Sequence, residues 1–109
     1  MHEIQEHLQC LVRVLQETGE TNLAAKIENI ISGPKHELDA FLISNELWGG
    51  AGSVADEAGT CRIGGRTDGR REVESILVQL GHKQIVAGKV NPRTKMWVDA
   101  FTKWKKAGI

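Results

Sequence analysis

The chain predicts an all-α protein, a compact bundle of five to six short helices forming one domain over residues 1–109. Three observations carry that expectation. Apolar residues recur every three or four positions through each long segment, the mark of a helix with one buried face. The breaks between segments fall at glycine, Gly-Pro or Asn-Pro, which end one helix and open the next. No stretch alternates apolar and polar residues for long enough to make a strand.

Ile4, Leu8, Leu11 and Leu15 form the first stripe, flanked by Val12 and Val14, and Gly19 ends it. A second stripe, Leu23, Ile27, Ile30 and Ile31, has Thr21 or Asn22 available as N-cap and stops at Ser32-Gly33-Pro34. Two helices joined by so short a loop pack antiparallel. Pro34 suits the first position of a third helix, whose apolar face runs through Leu38, Phe41, Leu42 and Leu47. A short fourth helix is expected around Val54 to Ala58, and residues 59–69, aperiodic and glycine-rich, read as a loop. Thr67 or Asp68 can cap a fifth helix carrying Val73, Ile76, Leu77 and Leu80, with Val78 outside the stripe. That helix ends at Gly81 or Gly88, and continuation past Gly81, at about 1 kcal/mol relative to alanine, is favoured. Asn91-Pro92 then opens a last helix lined by Met96, Trp97, Ala100, Phe101 and Trp104 and closing near Gly108.

The stretch from Asn45 to Glu57 interrupts this periodicity and is the expected hub of the fold. Leu47 and Trp48 close a helical pattern, Gly49 can take a left-handed C-terminal position, and Gly50-Ala51-Gly52 lets backbone pass close to a neighbour. Ser53 can restart a helix by accepting from the amide of Asp56. Trp48 reads first as a core anchor, and second as an exposed contact for a partner.

Composition narrows the function classes. The sequence has 109 residues, 40% of them apolar and 26% charged, which is globular and enough for one self-supporting core. Cys10 and Cys61 are far apart and lack zinc or redox spacing, so a reducing cytoplasm is expected, with no disulfide, metal or other cofactor. Neither an export signal nor a membrane span is present in the sequence. The formal charge of zero hides an asymmetry: residues 1–60 hold ten acids against three bases, net −7, and residues 61–109 hold eleven bases against four acids, net +7. The halves either pack together and interleave their charges or present a lopsided surface that steers a charged partner.

The candidate constellations are few. Gly64 and Gly69 have the spacing of a phosphate loop, but Arg70-Arg71 stands where Lys and Ser or Thr are needed. Arg62, Arg66, Arg70 and Arg71 remain a candidate anion site near a helix start, with pairing of Arg62 and Arg66 to Glu46, Asp56 or Glu57 as the structural alternative. His7 and Cys10 lack further metal-ligand partners, and His36-Glu37 lacks the second histidine of a zinc protease helix. Ser53, Cys61, His36 and His82 compose no nucleophile and base motif, so a non-enzymatic role is expected.

The segment Glu46-Leu47-Trp48-Gly49-Gly50-Ala51-Gly52-Ser53-Val54-Ala55-Asp56 resembles one found in small bacterial helical proteins, some of them similar to immunity proteins that neutralise toxins from competing cells. The resemblance covers about a tenth of the chain. With the small size, the absent catalytic motif and the lopsided charge, the resemblance points to a protein-binding module, an inhibitor of a basic toxin domain; the acidic first half makes Glu37, Asp39, Glu46, Asp56 and Glu57 candidate contacts, and Trp48 is a candidate hot spot. A nucleic-acid or anion-binding accessory protein acting through the four arginines is the second expectation, and an enzyme centred on residues 46–57 the third.

Overall fold

Each long apolar stripe becomes a helix. The computed structural model describes residues 2–17, 19–49, 53–55 and 67–107, with the side chains of His2 and of residues 67–70 excepted. Among these, the elements are α1 (His2–Glu17), α2 (Thr21–Ser32), α3 (Lys35–Leu42), the single turn α4 (Asn45–Trp48), α5 (Thr67–Ala87) and α6 (Thr94–Ala107). The protein is thus all-α, as its periodicity predicts, with five helices, one helical turn and no strand among the described residues. Of the expected short helix over 54–58, Val54 and Ala55 are helical and buried, and the rest lies outside the described residues.

The core is one cluster. α1 buries Ile4, Leu8, Leu11, Val12, Val14 and Leu15, so the two flanking valines widen its stripe and let it pack against both α2 and α5. α5 in turn packs on α6, and α2 on α3. Val73, Leu77 and Leu80 of α5 and Val98 and Phe101 of α6 complete the interior. Met96, expected on the buried face of α6, is half exposed, and Thr94 is buried instead. The face of α6 that meets α5 is Thr94-Val98-Phe101, and Met96 sits on the opposite side of that helix.

Helix ends follow local chemistry. Gly19 and Gly88 both have positive φ, +88° and +74°. In each case the residue after the glycine donates back to a carbonyl five residues earlier, Glu20 to Leu15 at 2.8 Å and Lys89 to Gln84 at 3.0 Å, so both helices end in a Schellman motif. α5 therefore runs through Gly81 to Ala87. Other ends depart from expectation. The N-cap of α2 is Glu20, with no side-chain hydrogen bond, rather than Thr21 or Asn22. Pro34 is the N-cap of α3 in extended conformation rather than its first helical residue. Leu47 is not on α3 either, because Ser44 turns the chain: its Oγ donates to the Phe41 carbonyl at 2.6 Å and caps α4. Asn91 Oδ1 accepts from the Arg93 amide at 2.9 Å while Thr94 Oγ1 accepts from the Asn91 amide at 3.0 Å, a reciprocal pair of bonds that leads into α6, whose first helical residue is Thr94 and not Pro92.

Candidate binding surfaces

The expected hub is the place where the chain closes on itself. Trp48 has no exposed surface. Its Nε1 donates to Gln84 Oε1 at 3.0 Å, and Gln84 Nε2 donates to the Leu42 carbonyl at 2.7 Å and the Lys89 carbonyl at 2.9 Å. Trp97 Nε1 donates to the Trp48 carbonyl at 3.1 Å, with the Gly49 carbonyl at 3.3 Å. Asn91 Nδ2 donates to the Ile43 carbonyl at 2.9 Å and to Asn45 Oδ1 at 3.0 Å. These bonds tie the α3–α4 junction to the α5–α6 hairpin, so the hub is an internal keystone.

Two expectations at the hub are corrected. Gly49 has φ −77°, not a left-handed angle. Glycine is required there for space, since a Cβ would stand 2.5 Å from the Asn45 carbonyl oxygen. Trp48 is enclosed by the fold, which bears out its first reading as a core anchor and removes it from the candidate contacts. Ser53 is buried and donates to the Gly49 carbonyl at 3.1 Å, so its hydroxyl serves the hub. The cap it was expected to provide to Asp56 lies outside the described residues.

The remaining candidates are scattered. Glu37 is exposed. Glu46 is exposed and pairs with Lys26 at 2.9 Å. Asp39 turns inward to Lys89, Oδ1 to Nζ at 3.3 Å, with both side chains about one-third exposed. Asp56, Glu57, Arg62 and Arg66 lie outside the described residues, as does the side chain of Arg70. Arg71 is exposed near the start of α5. The opposite charges of the two halves interleave in part, because Glu3 of α1 meets Lys83 of α5 at 2.7 Å and Asp39 meets Lys89. The Glu3 carboxyl is held below the ordinary glutamate range by the Lys83 hydrogen bond first and by its charge second.

Two surface features were not legible in the sequence. The first is the distribution of exposed apolar side chains: Ile43, Ile85, Val86, Val90 and Met96 are the large ones among the described residues. All come from the end where α3 and α5 finish and α6 begins, an end assembled by the Asn91 and Gln84 bonds. The second is a groove of about 460 Å³ between α5 and α6. Arg71, Ser75, Val78 and His82 recur at spacings of four, three and four along α5 and form one wall, and Phe101, Thr102 and Lys105 of α6 form the other.

Neither a known protein family, nor a curated protein, nor a solved structure matches this chain. Among the described residues no helix is long and apolar enough to cross a membrane, and no cluster of three or more histidine, cysteine or acidic side chains could hold a metal ion.

Proposed function

We propose that this is a protein-binding module that docks through the end of the molecule built from the termini of α3 and α5 and the start of α6. The observation that supports the reading is the gathering of Ile43, Ile85, Val86, Val90 and Met96 there, with Val86 87% exposed. Scattered exposed hydrophobics are ordinary, but five drawn from one end leave apolar area that a partner's surface would cover. Glu46 follows Ile43 by three residues and pairs with Lys26, and Glu37 is exposed in the first turn of α3, away from this end, so the two acids would act on a partner through the field and the association rate rather than by contact. The finer reading is an immunity-type inhibitor of a basic toxin domain in a bacterial cytoplasm, which rests on the short segment resemblance, the small helical body and the lack of a catalytic motif. The proposed contact set centres on the apolar residues, with Glu37 and Glu46 as charges that steer the approach from outside it.

The test is capture of a partner from the source cell with tagged protein, followed by kinetics at two ionic strengths. Ile43→Asp and Val86→Asp should abolish capture while leaving the circular dichroism spectrum unchanged. Glu37→Lys with Glu46→Lys should slow association several-fold at low salt and matter little at high salt. Recovery of nucleic acid alone, or a partner indifferent to all four substitutions, would overturn the reading.

A further inference from the structure

The α5–α6 hairpin is pinched at one point and open at another. Gly81 lies so close to α6 that a Cβ there would collide with Val98 Cγ2 and stand 3.3 Å from the Trp48 ring. From that crossing the helices run toward the start of α5 and the end of α6, and there the groove lies between them. Its volume of about 460 Å³ falls within the range of about 300 to 1,000 Å³ that suits small-molecule sites.

We propose that this groove binds a small amphipathic organic anion, a single carboxylate, phosphate or sulfonate head on a flat apolar body. Val78 and Phe101 supply an apolar floor. The Phe101 ring is held between Trp97, stacked at 5.5 Å, and Trp104, edge-on at 5.6 Å, so that wall is preorganised and costs little to order on binding. Arg71 on α5 and Lys105 on α6 bring a cation from each wall, residues 34 positions apart in sequence that only the hairpin makes neighbours of one space. An anionic head between them is the complementary charge. Ser75 and Gln79 add polar groups, whereas the Thr102 hydroxyl already donates to the Val98 carbonyl at 2.8 Å and is left as an acceptor. Glu72 and Glu74 also line the groove, so its formal charge balances, and the preference for an anion rests on Arg71 and Lys105 coming from facing walls rather than on net charge. The inference is independent of the docking end proposed above, which lies at the closed end of the same hairpin.

The probe is anilinonaphthalene sulfonate, titrated into the folded full-length chain by fluorescence, with neutral N-phenylnaphthylamine as its uncharged counterpart. Expected is one site per chain, binding the sulfonate more tightly than the amine. Lys105→Glu should weaken the sulfonate about tenfold or more, the size of one charge-assisted hydrogen bond, and leave the amine unaffected. Ser75→Trp, placed to fill the groove, should abolish both. 1-Naphthoate and 1-naphthyl phosphate as competitors, which share one flat body, distinguish a carboxylate from a phosphate head, and inorganic phosphate alone should not displace the probe. Circular dichroism confirms that each variant is folded, and if Ser75→Trp is not, Lys105→Glu decides. No binding to the folded chain, equal affinity for sulfonate and amine, displacement by neither competitor, or no effect of Lys105→Glu would each overturn the proposal.

Discussion

Gln84 shows what a single residue contributes here. It is fully buried at the position where the stripe Val73, Leu77, Leu80 would call for another apolar side chain, and it makes three hydrogen bonds to three different segments. A buried amide so used costs little, because its partners would otherwise be unsatisfied themselves. Gln84→Leu conserves volume but orphans the Trp48 N–H and two carbonyls. At about 1 to 3 kcal/mol for each buried group left unpaired, and with partial relaxation, the variant should lose about 3 kcal/mol. A urea midpoint measures it, and an unchanged midpoint would mean that water replaces the side chain. The sequence shows a glutamine on an apolar stripe, but not that it answers Trp48, 36 residues earlier.

For the helices the informative position is Gly81. Mid-helix glycine costs about 1 kcal/mol relative to alanine, so propensity alone says that Gly81→Ala stabilises α5. The packing says the reverse. A methyl there would overlap Val98 Cγ2 and crowd Trp48, and overpacking of that kind costs about 1 to 3 kcal/mol. The collision outweighs the propensity gain, so Gly81→Ala should lower the melting temperature. Val98→Ala in the same chain should restore part of the loss, since the two changes share one contact. If Gly81→Ala raised the melting temperature, α5 and α6 would not cross at this residue. Continuation of α5 past Gly81 was legible from the residues that follow it. The close crossing was not, because a glycine in a helical pattern looks the same whether it faces solvent or another helix.

At the scale of the whole molecule the opposite charges of the two halves meet through α1 against α5 and α3 against the α5–α6 connection. Exposed pairs of this type contribute little each, so they orient and do not hold the fold. Their signature is in titration. The Glu3 carboxyl titrates below the ordinary range because of Lys83. A carboxyl whose folded pKa is depressed contributes stability that is present above its unfolded pKa and is lost as pH falls through the folded pKa. Lys83→Met should therefore return the Glu3 pKa to the ordinary range, followed by carbon-13 NMR of the carboxyl, and remove this acid-side dependence. A Glu3 titration that ignores the substitution would show that α1 and α5 do not meet in this register.

The sequence by itself determined the class, the approximate number of helices and where most of them end, because helix periodicity and the glycine stops act within a few residues of themselves. It also marked Asn45 to Glu57 as the place where the pattern changes. Tertiary structure decided what that change is for. Trp48 became an enclosed anchor because α5 and α6 pack over it, a fact set by residues 33 to 49 positions away, whereas Gly49 is a steric necessity of its own turn, where a Cβ would collide with Asn45. It also decided the surface: which acids turn inward, which apolar side chains gather at one end, and that Arg71 and Lys105 face one groove. Surface neighbours are fixed by how helices cross and where they diverge, and a local pattern carries the face of each helix without the identity of the helix it meets.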